Sequence, residues 1–363
     1  MSNKVYNFSA GPAVLPKIVT QQLSEAAINY NDHGLSILEM SHRSKPISSM
    51  VEETTELVKE ILNVPENYDI CWLQGGASTQ FSMIPMNFIS KTDTVDYADT
   101  GAWSAKAIKE AQRFGHVNIT SSSKDSVYSY IPKEIQQDSS SKYLHITSNN
   151  TIYGTQYKVF PNLINPNGFL IADMSSDIFS RIIDVNKFGI IYAGAQKNMG
   201  PAGVTMVIIR HDLLDRINDN IPSMFDYRIH VSKGSMFNTP PVYAIYAVNR
   251  TLHWLKDMGG LSVIEEKNIR KSDLLYNEIE SNLCFKSSVA PEDRSTMNVP
   301  FLFDGTGDDA HFLSYCEDCG LLTLKGHRSV GGFRASIYNA MPEEGIKALI
   351  NAMQSYEKGK YVK

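Results

Sequence analysis

The stretch "GIIYAGAQKNMGPAGVTMVIIR" (189–210) sets one lysine, Lys197, between two apolar runs. "GIIYAG" (189–194) and "VTMVIIR" (204–210) are short and rich in β-branched or aromatic residues, as buried strands are. Between them, small residues, Gly200 and Pro201 turn the chain. Lys197 therefore stands just past the end of a strand. It is either a surface charge there or a nucleophile held at the turn.

Working outward, "GFLIADMSS" (168–176) and "KYLHITSNN" (142–150) repeat the short apolar pattern, and "YDICWLQ" (68–74) and "HVNITSS" (116–122) extend it. Helical patterns fall between them. An amphipathic helix is predicted over 51–63, stopped near Pro65, and an apolar one over 78–89, which Pro85 is expected to kink. "AWSAKAIKEAQRFG" reads as a helix closed by Gly115. Strands alternating with helices imply an α/β fold with a mostly parallel sheet, covered on both faces. The gap between 176 and 189 is short for a crossover helix, so strand order is not readable. Past a turn-rich stretch, 222–241, long helices are predicted over 242–260 and 261–282, then shorter strands and a last helix. These place a large domain at 16–260 and a smaller α+β domain at 261–363, joined by residues 1–15.

Composition narrows the function. The 363 residues carry 34 basic and 39 acidic side chains, a formal net charge of -5, with no basic tract, which argues against nucleic acid as a partner. No apolar stretch nears the ~20 residues of a membrane-spanning helix, and "MSNKVYNFSAGPAVLP" lacks the apolar core of a signal peptide. A cytoplasmic chain is expected. Cys316 and Cys319 form a C-x-x-C, but Cys71 and Cys284 supply no second pair at zinc spacing, so neither a disulfide framework nor a metal is expected.

The ends of the parallel strands are where such sheets bind ligands. Gly75-Gly76-Ala77-Ser78 opens a helix whose free N–H groups could cradle a phosphate, although the turn matches neither dinucleotide nor nucleotide fingerprints. Thr151, Asp173 and Lys197 follow three other strands. Asp173 and Lys197 could form a plain ion pair. Alternatively, Asp173 pairs with the cationic ring nitrogen of an aromatic cofactor whose aldehyde Lys197 takes as a Schiff base; pyridoxal phosphate fits, and Trp103 could stack on its ring. His42-Arg43 and the glycine-rich "LKGHRSVGGFRAS", with His327, Arg328 and Arg334, suggest a substrate bearing both phosphate and carboxylate.

The stretches "NFSAGPAVLP" (7–16), "MSHRS" (40–44), "LQGGAST" (73–79), "TGAWSAKAIKEA" (100–111), "ADMSSDIFSR" (172–181), "YAGAQKNMGPAG" (192–203), "FNTPP" (237–241) and "GHRSVGGFRASIYNA" (326–340) together resemble the phosphoserine aminotransferase family. This is a class V group of the fold-type I pyridoxal-phosphate-dependent transferases. The resemblance spans almost the whole chain. It implies a homodimer with active sites at the subunit interface and L-glutamate and 3-phosphohydroxypyruvate as substrates, giving 2-oxoglutarate and O-phospho-L-serine in serine biosynthesis. It also implies roles: Lys197 as the Schiff-base lysine, Asp173 at the ring nitrogen, Trp103 on the ring and Thr151 at the phenolic oxygen. Gly76, Ala77 and Gln196 would hold the cofactor phosphate, with Asn238 and Thr239 from the partner subunit. His327 and Arg328 would meet the substrate phosphate, with His42 and Arg43 reaching across the interface; Arg334 would hold the α-carboxylate, with Ser9 near it. Some members carry arginine at the position of Ala77, which here offers only its N–H.

Rival readings are a serine–glyoxylate type aminotransferase, a cysteine desulfurase, and a non-catalytic binding protein on the same fold. A desulfurase needs a mobile cysteine, and "SYCEDCG" reads as helix packing instead. A binding protein could dispense with the lysine and the aspartate, and both are present.

Overall fold

The runs flanking Lys197 are the strands Ile190–Gly194 and Thr205–Arg210. They pair antiparallel, with Thr205 opposite Gly194 and Ile209 opposite Ile190, in a computed structural model that describes residues 4–361. Both belong to a seven-stranded sheet. Its spatial order is Tyr68–Leu73, Thr205–Arg210, Ile190–Gly194, Phe169–Asp173, Tyr143–Thr147, Thr94–Asp99 and His116–Ser122. Thr205–Arg210 alone runs against the others, so the sheet is mostly parallel, as its alternation with helices predicts.

Residues 174–189 link two parallel neighbours without an α-helix, through turns and the short 3-10 segment Val185–Lys187. A buried ion pair, Arg181 Nη2 to Asp177 Oδ2 at 3.1 Å, secures this link, and Asn198 Nδ2 donates to Ile178 O at 2.6 Å.

Residues along each central strand alternate between two cores. Leu170, Ala172, Ile191, Ala193, Met206 and Ile208 face helices Lys17–Ile28, Lys45–Leu62 and Val242–Asp257. Phe169, Ile171, Ile190, Tyr192, Val207 and Ile209 face helices Gly76–Phe88 and Ala102–Ala111. Burying such side chains is worth about 1.5–3 kcal/mol each, and burial on both faces explains why the runs are continuously apolar. Asp173 follows Ile171 at the two-residue period, so it shares the side of the second helix pair.

A third core gathers Phe8, Leu275, Ile279, Phe301, Phe312 and Phe333. Around it lie an antiparallel sheet of Phe285–Lys286, Asn298–Phe303 and Phe333–Ser336 and the final helix Glu343–Tyr361. The N-terminal strand Tyr6–Asn7 joins this part of the chain by pairing in parallel with Leu321–Leu322. Helix Gly260–Ser281 serves two cores, with Ile264 in the first and Leu275 and Ile279 in the third.

Several boundaries differ from expectation. The helix predicted at 51–63 starts at Lys45, because Pro46 in its first turn is tolerated where no intrahelical N–H is needed. The apolar helix runs through Pro85 as one element, from Gly76 to Phe88. Helix Ala102–Ala111 ends before Gly115, which does not adopt a left-handed conformation. Gly115 answers a close approach instead: a Cβ there would lie 2.8 Å from Ser90 O. Inside the turn-rich 222–241 stretch stands a short helix, Tyr227–Ser232, whose start is capped by the Asp226 carboxylate accepting from Arg228 N.

Candidate active site

The residues singled out from sequence collect at the C-terminal edge of the large sheet. Gly76 follows strand Tyr68–Leu73, Trp103 follows Thr94–Asp99, Thr151 follows Tyr143–Thr147, Asp173 ends its own strand and Lys197 follows Ile190–Gly194. Parallel strands direct all five loops to one crevice.

Lys197 Nζ donates to Thr151 Oγ1 at 2.6 Å and lies 5.6 Å from the centroid of the Trp103 ring. Burial pushes its pKa down to about 8; Asp173 opposes the drop and Arg334 adds to it. Asp173 is buried and accepts from Ser175 N at 2.9 Å and Ser175 Oγ at 2.6 Å. Burial raises its pKa above the ordinary carboxylate value, while the Ser175 hydroxyl and Lys197 hold it back. The plain ion-pair reading is incomplete, because the direct partner of Lys197 is a hydroxyl and the two charges act on each other at longer range.

Helix Gly76–Phe88 begins at the crevice. Gly75 caps it with φ 92°, and a Cβ there would lie 1.9 Å from Thr79 Oγ1. Around Gly76 the space is open, with nothing within 4 Å of a Cβ. The free N–H groups of this first turn, with the helix dipole, attract an anion. On the opposite wall, Arg334 sits on strand Phe333–Ser336, and His327 and Arg328 lie on the loop before it. Burial lowers the pKa of His327, and Arg334, Arg328 and Lys106 lower it further. Among the described residues, none of Lys106, Arg328 and Arg334 has a carboxylate within ion-pair distance. Such a set favours an anionic ligand.

The N-terminal segment closes the site from above. Ala13 N donates to Gln196 O at 2.9 Å, and a Cβ on Gly11 would lie 3.4 Å from Lys197 Cγ. Ser9 belongs to this segment, its Oγ accepting from Gly11 N at 3.3 Å.

Comparisons with known proteins fit this geometry. A family profile described as aminotransferase class-V matches residues 5–349. Phosphoserine aminotransferase of Bacteroides thetaiotaomicron is 48% identical over 357 residues, covering 98% of this chain and 99% of its own. The chain belongs to the phosphoserine aminotransferases. The solved structure of the family member from Bacillus circulans subsp. alkalophilus superposes with a TM-score of 0.95 at 43% identity, covering 99% of this chain and all 100% of the other. That of the PLP-bound enzyme from Trichomonas vaginalis gives 0.91 at 41% identity, over 97% of this chain and 100% of its own. The fold is thus the fold-type I aminotransferase fold, and pyridoxal phosphate is its cofactor.

The residues present fit that group. Trp103 Nε1 and Arg334 Nε are buried without a hydrogen-bond partner among the described residues, and the open turn at Gly76 leaves room for a phosphate. Within this family frame, one predicted group stands apart from the rest. His42 and Arg43 lie on the turn entering helix Lys45–Leu62, and no hydrogen bond or ion pair among the described residues ties them to the Lys197 cluster. Asn238 and Thr239 lie on a loop where Asn238 Nδ2 donates to Gln74 Oε1 at 2.7 Å, next to the glycine turn of the same chain.

Two residues escaped sequence reasoning. Lys106 Nζ lies 4.2 Å from the Trp103 ring centroid, one helical turn on, but an isolated lysine on a helix reads as solvent charge. Tyr338 OH donates to Ala10 O at 2.8 Å and accepts from Asn298 Nδ2 at 3.2 Å. As a buried aromatic it reads as core.

Proposed function

We propose that the chain transfers the amino group of L-glutamate to 3-phosphohydroxypyruvate, giving O-phospho-L-serine and 2-oxoglutarate. The observation that carries this is Lys197, half-buried beside Thr151 and Trp103, facing a wall of unpaired cations. Bound there, pyridoxal phosphate supplies an aldehyde for amine capture and a sink for the charge left when Cα loses a proton. Lys197, with its lowered pKa, would hold the group through its amine and, when free of it, would carry a proton to and from the substrate's Cα. Asp173 would face the ring nitrogen of the bound group, where its negative charge would favour the protonated ring. Trp103 would offer its ring face, Thr151 would meet the phenolic oxygen, and the N–H groups of Gly76 and Ala77 would hold the phosphate with Gln196. Arg334 orients the α-carboxylate near Ser9. His327 and Arg328 hold the far anion, a phosphate in one substrate and a carboxylate in the other, so one pocket serves both.

The same reading makes the working unit a cytoplasmic homodimer. His42, Arg43, Asn238 and Thr239 of one subunit then serve the site of the other, which accounts for the separation of His42 and Arg43 from their own Lys197. It divides the chain into a large domain, 16–260, and a small one, 261–363 with 1–15. The shared core of Phe8 with Phe301 and Phe333 supports that division. Among the described residues no helix is long and apolar enough to cross a membrane. Of the late cysteines, Cys316 is buried in the third core and Cys319, though exposed, is fixed at the C-terminal cap of helix Asp309–Asp318, so neither favours a desulfurase role.

The test is a half-reaction. Protein loaded with pyridoxal phosphate is mixed with O-phospho-L-serine, L-glutamate, L-serine or L-alanine, and loss of the cofactor's visible band is followed. Rapid conversion by phosphoserine and glutamate, with slow conversion by the other two, is expected; equal rates for serine and phosphoserine overturn the assignment.

A further inference from the structure

Lys271 stands in "EEKNIRKSDLL" (265–275), a run that reads as the solvent face of helix Gly260–Ser281. The side chain points inward instead and is 3% exposed. Its Nζ donates to Ile337 O at 2.9 Å, Tyr338 O at 2.8 Å and Met341 O at 3.1 Å. An ammonium has three N–H donors and no acceptor, so the three carbonyls use all of it. No carboxylate among the described residues pairs with it. Burial, with Lys267 adding to it, pushes its pKa down to about 7, so holding a cation here costs stability. An unbranched apolar side chain would fill the same space without that cost.

The three carbonyls belong to the turn that leaves strand Phe333–Ser336, the strand of Arg334. This turn is tied to the lysine side of the site as well. Asn339 N donates to Asn198 Oδ1 at 3.0 Å, next to Lys197, and Tyr338 OH donates to Ala10 O on the segment above it. One turn earlier on the same helix, Asn268 Nδ2 donates to Asn339 Oδ1 at 2.8 Å and to Ser180 O at 3.1 Å. The helix therefore clamps the turn from beneath at two points.

We infer that Lys271 is a positioning residue: it fixes the turn Ile337–Met341 and, through it, the separation between Arg334 and Lys197. The inference rests on the proposed role of Arg334 as the carboxylate ligand. In any α-amino acid the carboxylate and the amine share one carbon, so a shift of Arg334 relative to Lys197 affects both substrates alike. The phosphate-binding turn at Gly76 lies on the large sheet and is not reached by the clamp.

The experiment uses the holoenzyme with Lys271→Met, which removes all three donors, and Lys271→Gln, which keeps an amide donor. In Lys271→Met, KM for L-glutamate and for O-phospho-L-serine should both rise roughly tenfold, kcat should fall less than about threefold, and Lys271→Gln should lie between. The affinity of the apoprotein for pyridoxal phosphate, titrated by tryptophan fluorescence, should change less than about twofold. Unchanged KM in both variants overturns the inference, as does a KM rise for one substrate only or one that tracks lost cofactor affinity. Insoluble protein from both variants assigns Lys271 to folding alone and overturns it equally. Arg334→Lys separates the two readings: unchanged KM there refutes the carboxylate role itself, whatever Lys271 does.

Discussion

Lys197 Nζ hands a hydrogen bond to Thr151 Oγ1 across 2.6 Å, joining the loop after one parallel strand to the loop after another. The bond aims the amine while leaving it free of a carboxylate that would fix its charge. Lys197→Ala should therefore lower amino transfer by several orders of magnitude and erase the visible band of the loaded protein. Thr151→Val removes only the acceptor and should slow the phosphoserine half-reaction about tenfold, the worth of one hydrogen bond. Full turnover in Lys197→Ala contradicts the assignment.

The lowered pKa of Lys197 predicts a pH profile. Only the neutral amine attacks an aldehyde, so capture of pyridoxal phosphate by the apoprotein, trapped with borohydride, should accelerate as pH rises toward about 8 and level off above it. An ordinary surface lysine would keep accelerating toward 10.5. Asp173 favours the ammonium, so Asp173→Asn should move the midpoint below that of the parent protein. A midpoint near that of a free lysine would remove the argument from burial.

Arg334→Ala should raise KM for glutamate and phosphoserine together, because both carry an α-carboxylate. Lys106→Met should act on the phosphorylated substrate more than on glutamate, by about threefold at low salt and less as salt screens the exposed charge. It also removes one of the cations that hold down the pKa of His327, so the imidazole should titrate at higher pH, as NMR would record. A His327 shift in the opposite direction would place Lys106 outside this cluster.

Gly75→Ala tests the phosphate turn. The new Cβ meets Thr79 Oγ1 at 1.9 Å and must adopt φ 92°. Chemical denaturation should show a loss of about 1–3 kcal/mol. Cofactor affinity should fall with it, since the helix start moves. Unaltered stability would mean the turn relaxes freely.

Much of this site was legible because its residues sit where strands end. The continuous apolar runs around Lys197 and before Asp173 located the sheet edge, and the edge located the chemistry. Strand order was hidden because residues 174–189 cross over without a helix, so no periodicity betrays the connection. Lys106 and Lys271 share a different failing. Each stands in a charged helical run, and one-dimensional pattern cannot separate a lysine in water from one over an indole ring or beneath three carbonyls. Tyr338 was hidden by its apolar neighbours, though its hydroxyl, with Ser336 N, ties the end of the last strand to the first segment.

That tie also sets an order of events during synthesis. Phe8 O accepts from Ser336 N at 3.2 Å and Ala10 O accepts from Tyr338 OH at 2.8 Å, so of the anchors of the segment that covers Lys197 only the one at Gln196 O is made early, and these two wait until almost the whole polypeptide has been made. The seven strands of the large sheet have all emerged by then. The cover over Lys197 is therefore completed only once residues 336 and 338 have been made.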